Sequence, residues 1–221
     1  MTYSVKEIYY TLQGEGAQSG RAAVFLRFAG CNLWSGLERD RDAATCRFCD
    51  TDFVGTDGPG GGKFADAGAL ARAVAAQWPP GRGGAQSKNF GAGGKPYVVC
   101  TGGEPLLQID TAVIGALHDR GLEIGIETNG TLLPPAGLDW ICVSPKAGAE
   151  QKLRRGDELK LIYPQEGALP DRFAGQDFRH FFLQPMDNEN RVANIKAATA
   201  YCLAHPQWRL SLQTHKLIGI P

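Results

Sequence analysis

The chain has 221 residues, room for one domain or one domain with an insertion. Lys plus Arg and Asp plus Glu balance at 23 each, so the charge gives no sign of a nucleic-acid partner or a membrane surface. No apolar run reaches the roughly 18 residues a membrane helix needs, and no signal-peptide pattern opens the chain.

Residues 1–21 contain a short strand around Val5 to Tyr10, then Leu12-Gln13-Gly14-Glu15-Gly16. Glycines beside a carboxylate let the backbone come close to a ligand; the plainer alternative is a tight turn with an exposed Glu. Ala22 to Ala29 reads as a strand whose apolar run is interrupted by Arg27. A cation there is costly unless an anion meets it. Pointing inward, Arg27 suits a substrate carboxylate; otherwise it snorkels to the rim.

The loop 30–51 follows. Fourteen residues separate Cys31 from Cys46, and two separate Cys46 from Cys49. Structural zinc wants four protein ligands, so a zinc loop would have to borrow a distant one. In a 4Fe–4S cube, three thiolates leave one iron open to a small molecule. Phe48 would pack over the cube or over that molecule. The other cysteines, Cys100, Cys142 and Cys202, sit in apolar runs and read as buried free thiols, which implies a reducing, cytoplasmic setting.

Residues 55–63 are a flexible break. Asp66 then caps a helix to about Gln77, with Leu70, Val74 and Trp78 at helical spacing, and Pro79 and Pro80 stop it. The glycine-rich stretch 79–95 reads as a surface insertion. Pro96 to Thr101 is a strand running into Gly102-Gly103-Glu104-Pro105. A helix follows from Leu106 to Arg120, with Leu106, Ile109, Val113 and Leu117 on one face. A strand, glycine turn and helix in series form the loop where ligands bind at the carboxyl end of a parallel strand. Glu104 could accept from an ammonium group there; the alternative is a simple turn.

Leu122 to Glu127 is a strand followed by Thr128-Asn129-Gly130, and Trp140 to Ser144 is one followed by Pro145-Lys146. Glu158 to Tyr163 and His180 to Gln184 are further strands, the second followed by Pro185-Met186-Asp187. Asn188 caps a helix to His205, with Val192, Ile195, Ala198 and Cys202 inward. Trp208 to Thr214 is a last strand, and the apolar tail ends at Pro221. The pattern predicts one α/β domain over 1–221, a partial, open (β/α) barrel of about six parallel strands. Some helices are missing, short extensions stand at both ends, and the site lies at the carboxyl rim.

Cys46-Arg47-Phe48-Cys49 resembles the cysteine–any–aromatic–cysteine half of the radical S-adenosylmethionine (SAM) signature. Thr101-Gly102-Gly103-Glu104-Pro105 resembles that family's glycine-glycine-glutamate-proline motif. The long first gap departs from the usual short spacing and is similar to one branch, the 7-carboxy-7-deazaguanine synthases. The small size, the Leu12–Gly16 stretch and the Asp50-Thr51 pair agree with it.

The resemblance implies a lyase with a 4Fe–4S cluster on Cys31, Cys46 and Cys49 that cleaves SAM to a 5′-deoxyadenosyl radical. Its substrate would be 6-carboxy-5,6,7,8-tetrahydropterin. Hydrogen abstraction, ring contraction and loss of ammonia would give 7-carboxy-7-deazaguanine for queuosine synthesis. Carried over, Phe48, Cys49 and Asp50 lie beside SAM, and Gly103 and Glu104 meet its amino group. Thr128 and Asn129 face its sugar or methionine part, and Ser144, Pro145 and Lys146 lie near its carboxylate or ribose. Gln184, Pro185, Met186 and Asp187 run along its adenine. Leu12, Gln13, Gly14, Glu15, Arg27 and Thr101 would meet the pterin, with His215 and the Pro221 carboxylate closing over it. Thr51 would offer an oxygen to Mg2+. The resemblance further implies an electron donor such as flavodoxin or ferredoxin, and a homodimer. Two other readings share parts of this pattern: a glycyl-radical activating enzyme acting on a protein, and a non-catalytic metal-binding module.

Overall fold

The structure, a computed structural model, describes residues 2–79 and 95–221. The expected surface insertion at 79–95 thus falls almost wholly outside the described residues. Among the described residues nine strands form one open sheet: β1 (Tyr3–Leu12), β2 (Ala22–Phe28), β3 (Gly62–Phe64), β4 (Tyr97–Gly102), β5 (Glu123–Thr128), β6 (Trp140–Val143), β7 (Arg155–Tyr163), β8 (Asp177–Pro185) and β9 (Trp208–Leu210). The order is β3-β1-β2-β4-β5-β6-β7-β8-β9. β1 runs antiparallel to β2 and β3. From β2 to β9 every pairing is parallel, which makes seven parallel strands rather than six.

Strand alternation divides the sheet into two faces. Val24, Leu26, Val98, Cys100, Ile124 and Ile126 point outward and pack under α1 (Ala67–Ala76) and α2 (Thr111–His118). Leu159, Leu161, Phe181 and Leu183 do the same under α3 (Arg191–Ala204). The intervening residues, including Phe25, Tyr97, Glu127, Glu158 and Lys160, point into the barrel. Between β6 and β7 no helix forms among the described residues, and between β7 and β8 there is only a 3-10 turn, Pro170–Arg172.

Asp66 caps α1 as its sequence predicts, accepting from the Ala69 amide at 2.7 Å. Three other expectations are corrected. The helix expected from Leu106 is split: a 3-10 turn spans Pro105–Leu107, and α2 starts after Asp110, whose side chain accepts from the Val113 amide at 2.9 Å. In α3, which begins at Arg191 rather than at Asn188, the inward face carries Asn194 and Ala198, and Val192, two residues before Asn194 and so on the opposite side of the helix, is 69% exposed. The last strand ends at Leu210, and the tail turns into a short helix, α4 (Thr214–Ile218), instead of extending to Thr214 as a strand.

Candidate active site

The loop after β2 folds on itself. The Thr45 and Cys46 amides both donate to the Leu33 carbonyl, at 3.1 and 3.4 Å, which brings Cys46 back beside Cys31. A 3-10 helix, Glu38–Ala43, fills the fourteen-residue gap. Its Arg41 lies 4.2 Å over the Trp34 ring and donates to the carbonyls of Arg47 and Cys49, at 2.7 and 3.1 Å. The long gap is therefore a built loop that fixes the Cys46–Cys49 turn. Cys31, Cys46 and Cys49 line one cleft at the carboxyl ends of the strands. The Cys49 pKa is pulled down, chiefly by the hydrogen bond from Cys46 and despite burial.

Opposite the thiols lies the loop after β4. Its Glu104 amide donates to the Gly30 carbonyl at 3.0 Å, locking it to the cysteine loop. A Cβ on Gly103 would collide with the Gly30 carbonyl and the Cys31 side chain, so only glycine allows this approach. Gly103, Thr128 and Asn129 line the cleft with Phe48, Asp50 and Ser144. Lys146, Gln184, Pro185, Met186 and Asp187 complete the wall. Lys146 donates to the hydroxyl and the carbonyl of Ser144, at 2.6 and 2.7 Å, and burial lowers its pKa.

Two residues expected at the cofactor lie outside the cleft wall. Pro145 is outside the cleft wall; its carbonyl faces the Gln165 side chain. Glu104 is 0% exposed and already occupied. Its carboxylate accepts from the Thr128 hydroxyl at 2.7 Å and the Asn129 amide at 2.8 Å, and from the Leu106 amide at 3.0 Å. Burial raises its pKa, opposed by those donors. Glu104 thus holds the loops that line the cleft instead of lining it.

A second chamber adjoins the first and shares Glu15, Asp50, Thr51, Thr101, Glu127 and Gln213 with it. Leu12, Gln13, Arg27, His215 and Pro221 line this chamber alone. Arg27 has an anion inside the protein: it donates to Glu7 at 2.8 Å and to the Tyr9 hydroxyl at 2.9 Å. Gly14 lies behind the wall, its carbonyl accepting from the Thr214 amide at 2.9 Å. The His215 ring fills the space that a Cβ on Gly14 would need. The C-terminal segment closes the chamber: the Thr11 hydroxyl donates to a Pro221 oxygen at 2.8 Å, and Lys216 bridges Asp50 and Asp187 at 2.6 Å each.

Sequence reading missed Glu127, Lys160 and Gln213. Lys160, on β7, sits between Glu15 at 2.6 Å and Glu127 at 2.9 Å. The signal was available in the alternation Glu158-Leu159-Lys160-Leu161, where polar residues share one face of the strand.

The donor chemistry fits an iron–sulfur cube. Structural zinc wants four protein ligands, whereas three thiols along one wall leave one iron of a cube open to a small molecule. An open parallel barrel with three thiols at its carboxyl rim, facing a Gly-Gly-Glu-Pro loop, defines a radical SAM enzyme.

No family model matches the chain. It is 63% identical to the 7-carboxy-7-deazaguanine synthase of Caulobacter vibrioides over 221 residues, all of both chains. It is likewise 63% identical to that of Bordetella pertussis over 224 aligned residues, again all of both chains. The crystal structure of QueE from Escherichia coli superposes with a TM-score of 0.68 at 24% identity, covering 96% of this chain and 94% of that one, which supports the fold alone. The chain belongs to the 7-carboxy-7-deazaguanine synthase family.

Proposed function

We infer that this protein converts 6-carboxy-5,6,7,8-tetrahydropterin to 7-carboxy-7-deazaguanine in queuosine synthesis, as a radical SAM lyase. The observation that carries the reading is the junction of two chambers. One is lined by three thiols and a glycine loop; the other is lined by Gln13, Arg27 and the C-terminal segment, and they share six wall residues.

When bound, the cluster and SAM supply one-electron chemistry that removes a hydrogen atom from the substrate. The protein's part is to bind, orient and exclude water. Cys31, Cys46 and Cys49 hold the cluster. Gly103, Thr128, Asn129 and Ser144 present polar groups to SAM, with Phe48 against it and Gln184 to Asp187 along it. Gln13, Glu15, Thr101, His215 and Pro221 surround the pterin. Burial lowers the His215 pKa, which favours its neutral, hydrogen-bonding form. Arg27, already held by Glu7, faces the substrate carboxylate with the capacity its fork retains. Thr51, in the wall common to both chambers, offers Mg2+ a neutral oxygen that the substrate carboxylate completes.

The reading includes a flavodoxin- or ferredoxin-like electron donor, a homodimer and a cytoplasmic setting. Buried free thiols at Cys100 and Cys142, both pushed up by burial, support a reducing compartment. No helix among the described residues is long and apolar enough to cross a membrane.

Anaerobic reconstitution followed by turnover of the tetrahydropterin tests the reading. The expected result is four irons per chain and SAM-dependent appearance of product absorbance. A four-iron protein that cleaves SAM but leaves the pterin unchanged would overturn it.

A further inference from the structure

The barrel interior carries charges that the radical chemistry leaves unused. Lys160 has a side chain only 4% exposed, yet it holds two carboxylates from different elements: Glu15 after β1 and Glu127 on β5. The remaining oxygens are also oriented. Gln213 donates to Glu15 at 3.0 Å, and Gln13 donates to Glu127 at 3.2 Å. A carboxylate oxygen can accept twice, so each keeps capacity toward the chambers that both residues line.

We propose that Lys160 is a positioning residue that aligns Glu15 and Glu127 as paired, ionised acceptors for the N–H groups of the bound heterocycle. The inference rests on the substrate reading above and deepens it. Two nearby carboxylates without a counter-charge repel, and one of them takes a proton. A protonated carboxyl would offer a donor where the ligand needs an acceptor. One lysine between two acids removes that problem while leaving a net negative wall.

The groups around Lys160 fit this role. Glu158 stands two residues back on β7, Cys142 on β6, Lys146 beyond β6, and His215 beyond Glu15. Glu158 is separately engaged: it accepts from the Ala17 amide at 2.9 Å and from the Cys142 thiol at 3.5 Å. Burial raises the Glu158 pKa, with the Lys160 charge opposing it. Burial opposes the charge on Lys160, but the surrounding acids outweigh it and keep the group protonated. Burial would also raise Glu15, and Lys160 instead brings it down to about 2.

The sign of the pH effect follows. Without Lys160, burial favours neutral Glu15, so acceptor capacity is lost as pH falls and regained as pH rises. The test is anaerobic calorimetry of the reconstituted enzyme with 6-carboxytetrahydropterin, without SAM, at pH 6, 7 and 8.5. Lys160→Met is expected to weaken pterin binding at least about tenfold at pH 6, equivalent to about one unit of protonation. The deficit should shrink toward pH 8.5, with partial recovery in Lys160→Arg. A pH-independent loss or parent-like binding overturns the proposal. If Lys160→Met does not fold, Lys160→Met with Glu127→Gln removes one unpaired charge. The same acid-side weakening is then expected from Glu15, and a flat profile overturns the proposal. A parent enzyme that fails to bind the tetrahydropterin would instead sink the substrate reading.

Discussion

Replacing Glu104 by Gln separates two roles that the motif alone leaves open: meeting the amino group of SAM, or holding the loops beneath it. The carboxylate is 0% exposed and accepts three hydrogen bonds. A glutamine can put its carbonyl where Oε1 stands and keep the bonds from Thr128 and Leu106. Its amide nitrogen then faces the Asn129 amide, donor against donor. A lost hydrogen bond to a charged group is worth roughly 1.5–3 kcal/mol, and the orphaned buried N–H adds to that. The neutral side chain recovers part of this, because burial disfavours the charge on Glu104. A net loss of about 2–3 kcal/mol lowers Tm by roughly 5–10 °C in a domain of this size. Thermal unfolding of the cluster-free protein measures this without any contribution from SAM. If Glu104→Gln unfolded within about 2 °C of the parent while SAM affinity collapsed, the carboxylate would be facing the ligand and the reasoning would fail.

Changing Cys31, Cys46 or Cys49 to Ala should abolish SAM cleavage and lower bound iron after reconstitution, while Cys100→Ala, buried outside the cleft, should keep full iron; the opposite pattern would reverse the assignment. Arg27→Lys keeps the charge but cannot serve Glu7, Tyr9 and a ligand at once, so pterin affinity should fall with SAM affinity unchanged. Equal losses in the two titrations would make its role purely structural. Appending a few glycines after Pro221 moves the terminal charge away from Thr11 and the second chamber, so turnover should fall while Tm stays at the parent value. Parent-like turnover of the extended protein would leave the terminal carboxylate without a role.

The parallel strands were legible because their apolar runs are dense and each ends in a polar loop. Strand-end polarity also found most of the cleft: Thr128, Asn129, Ser144, Lys146 and Asp187 each follow such a run. Two of the three residues that escaped lay inside the strands. Glu127 and Lys160 stand in runs that look merely interrupted by charge, and their inward direction appears only when period-two alternation is applied residue by residue. The helix split at Asp110 was hidden by the continuous apolar spacing from Leu106 to Leu117. It depends on one side chain capping Val113 and receiving the Tyr3 hydroxyl. For Arg27 the sequence correctly demanded an anion, but composition could not say that Glu7, twenty residues away on the neighbouring strand, would supply it.

The terminal segment shows why such contacts resist sequence reasoning, and what they do here. Leu217, Ile218 and Ile220 make the tail look like simple packing, yet Leu217 and Ile218 are more than half exposed. Polar contacts with remote elements hold the segment instead. Gln213 reaches Glu15, Thr214 reaches Gly14, and Lys216 joins Asp50 of the cysteine loop to Asp187 after β8. Single exposed ion pairs contribute roughly 0–1 kcal/mol. A lysine shared by two carboxylates, beside further hydrogen bonds to the first loop, gives the segment one fixed position. Three of these partners border the site: Glu15 and Asp50 belong to both chambers, and Asp187 to the thiol-lined cleft. The wall of the second chamber is therefore set by the same residues that shape the first. Lys216 thereby ties Asp50 of the cysteine loop to the helix that carries His215.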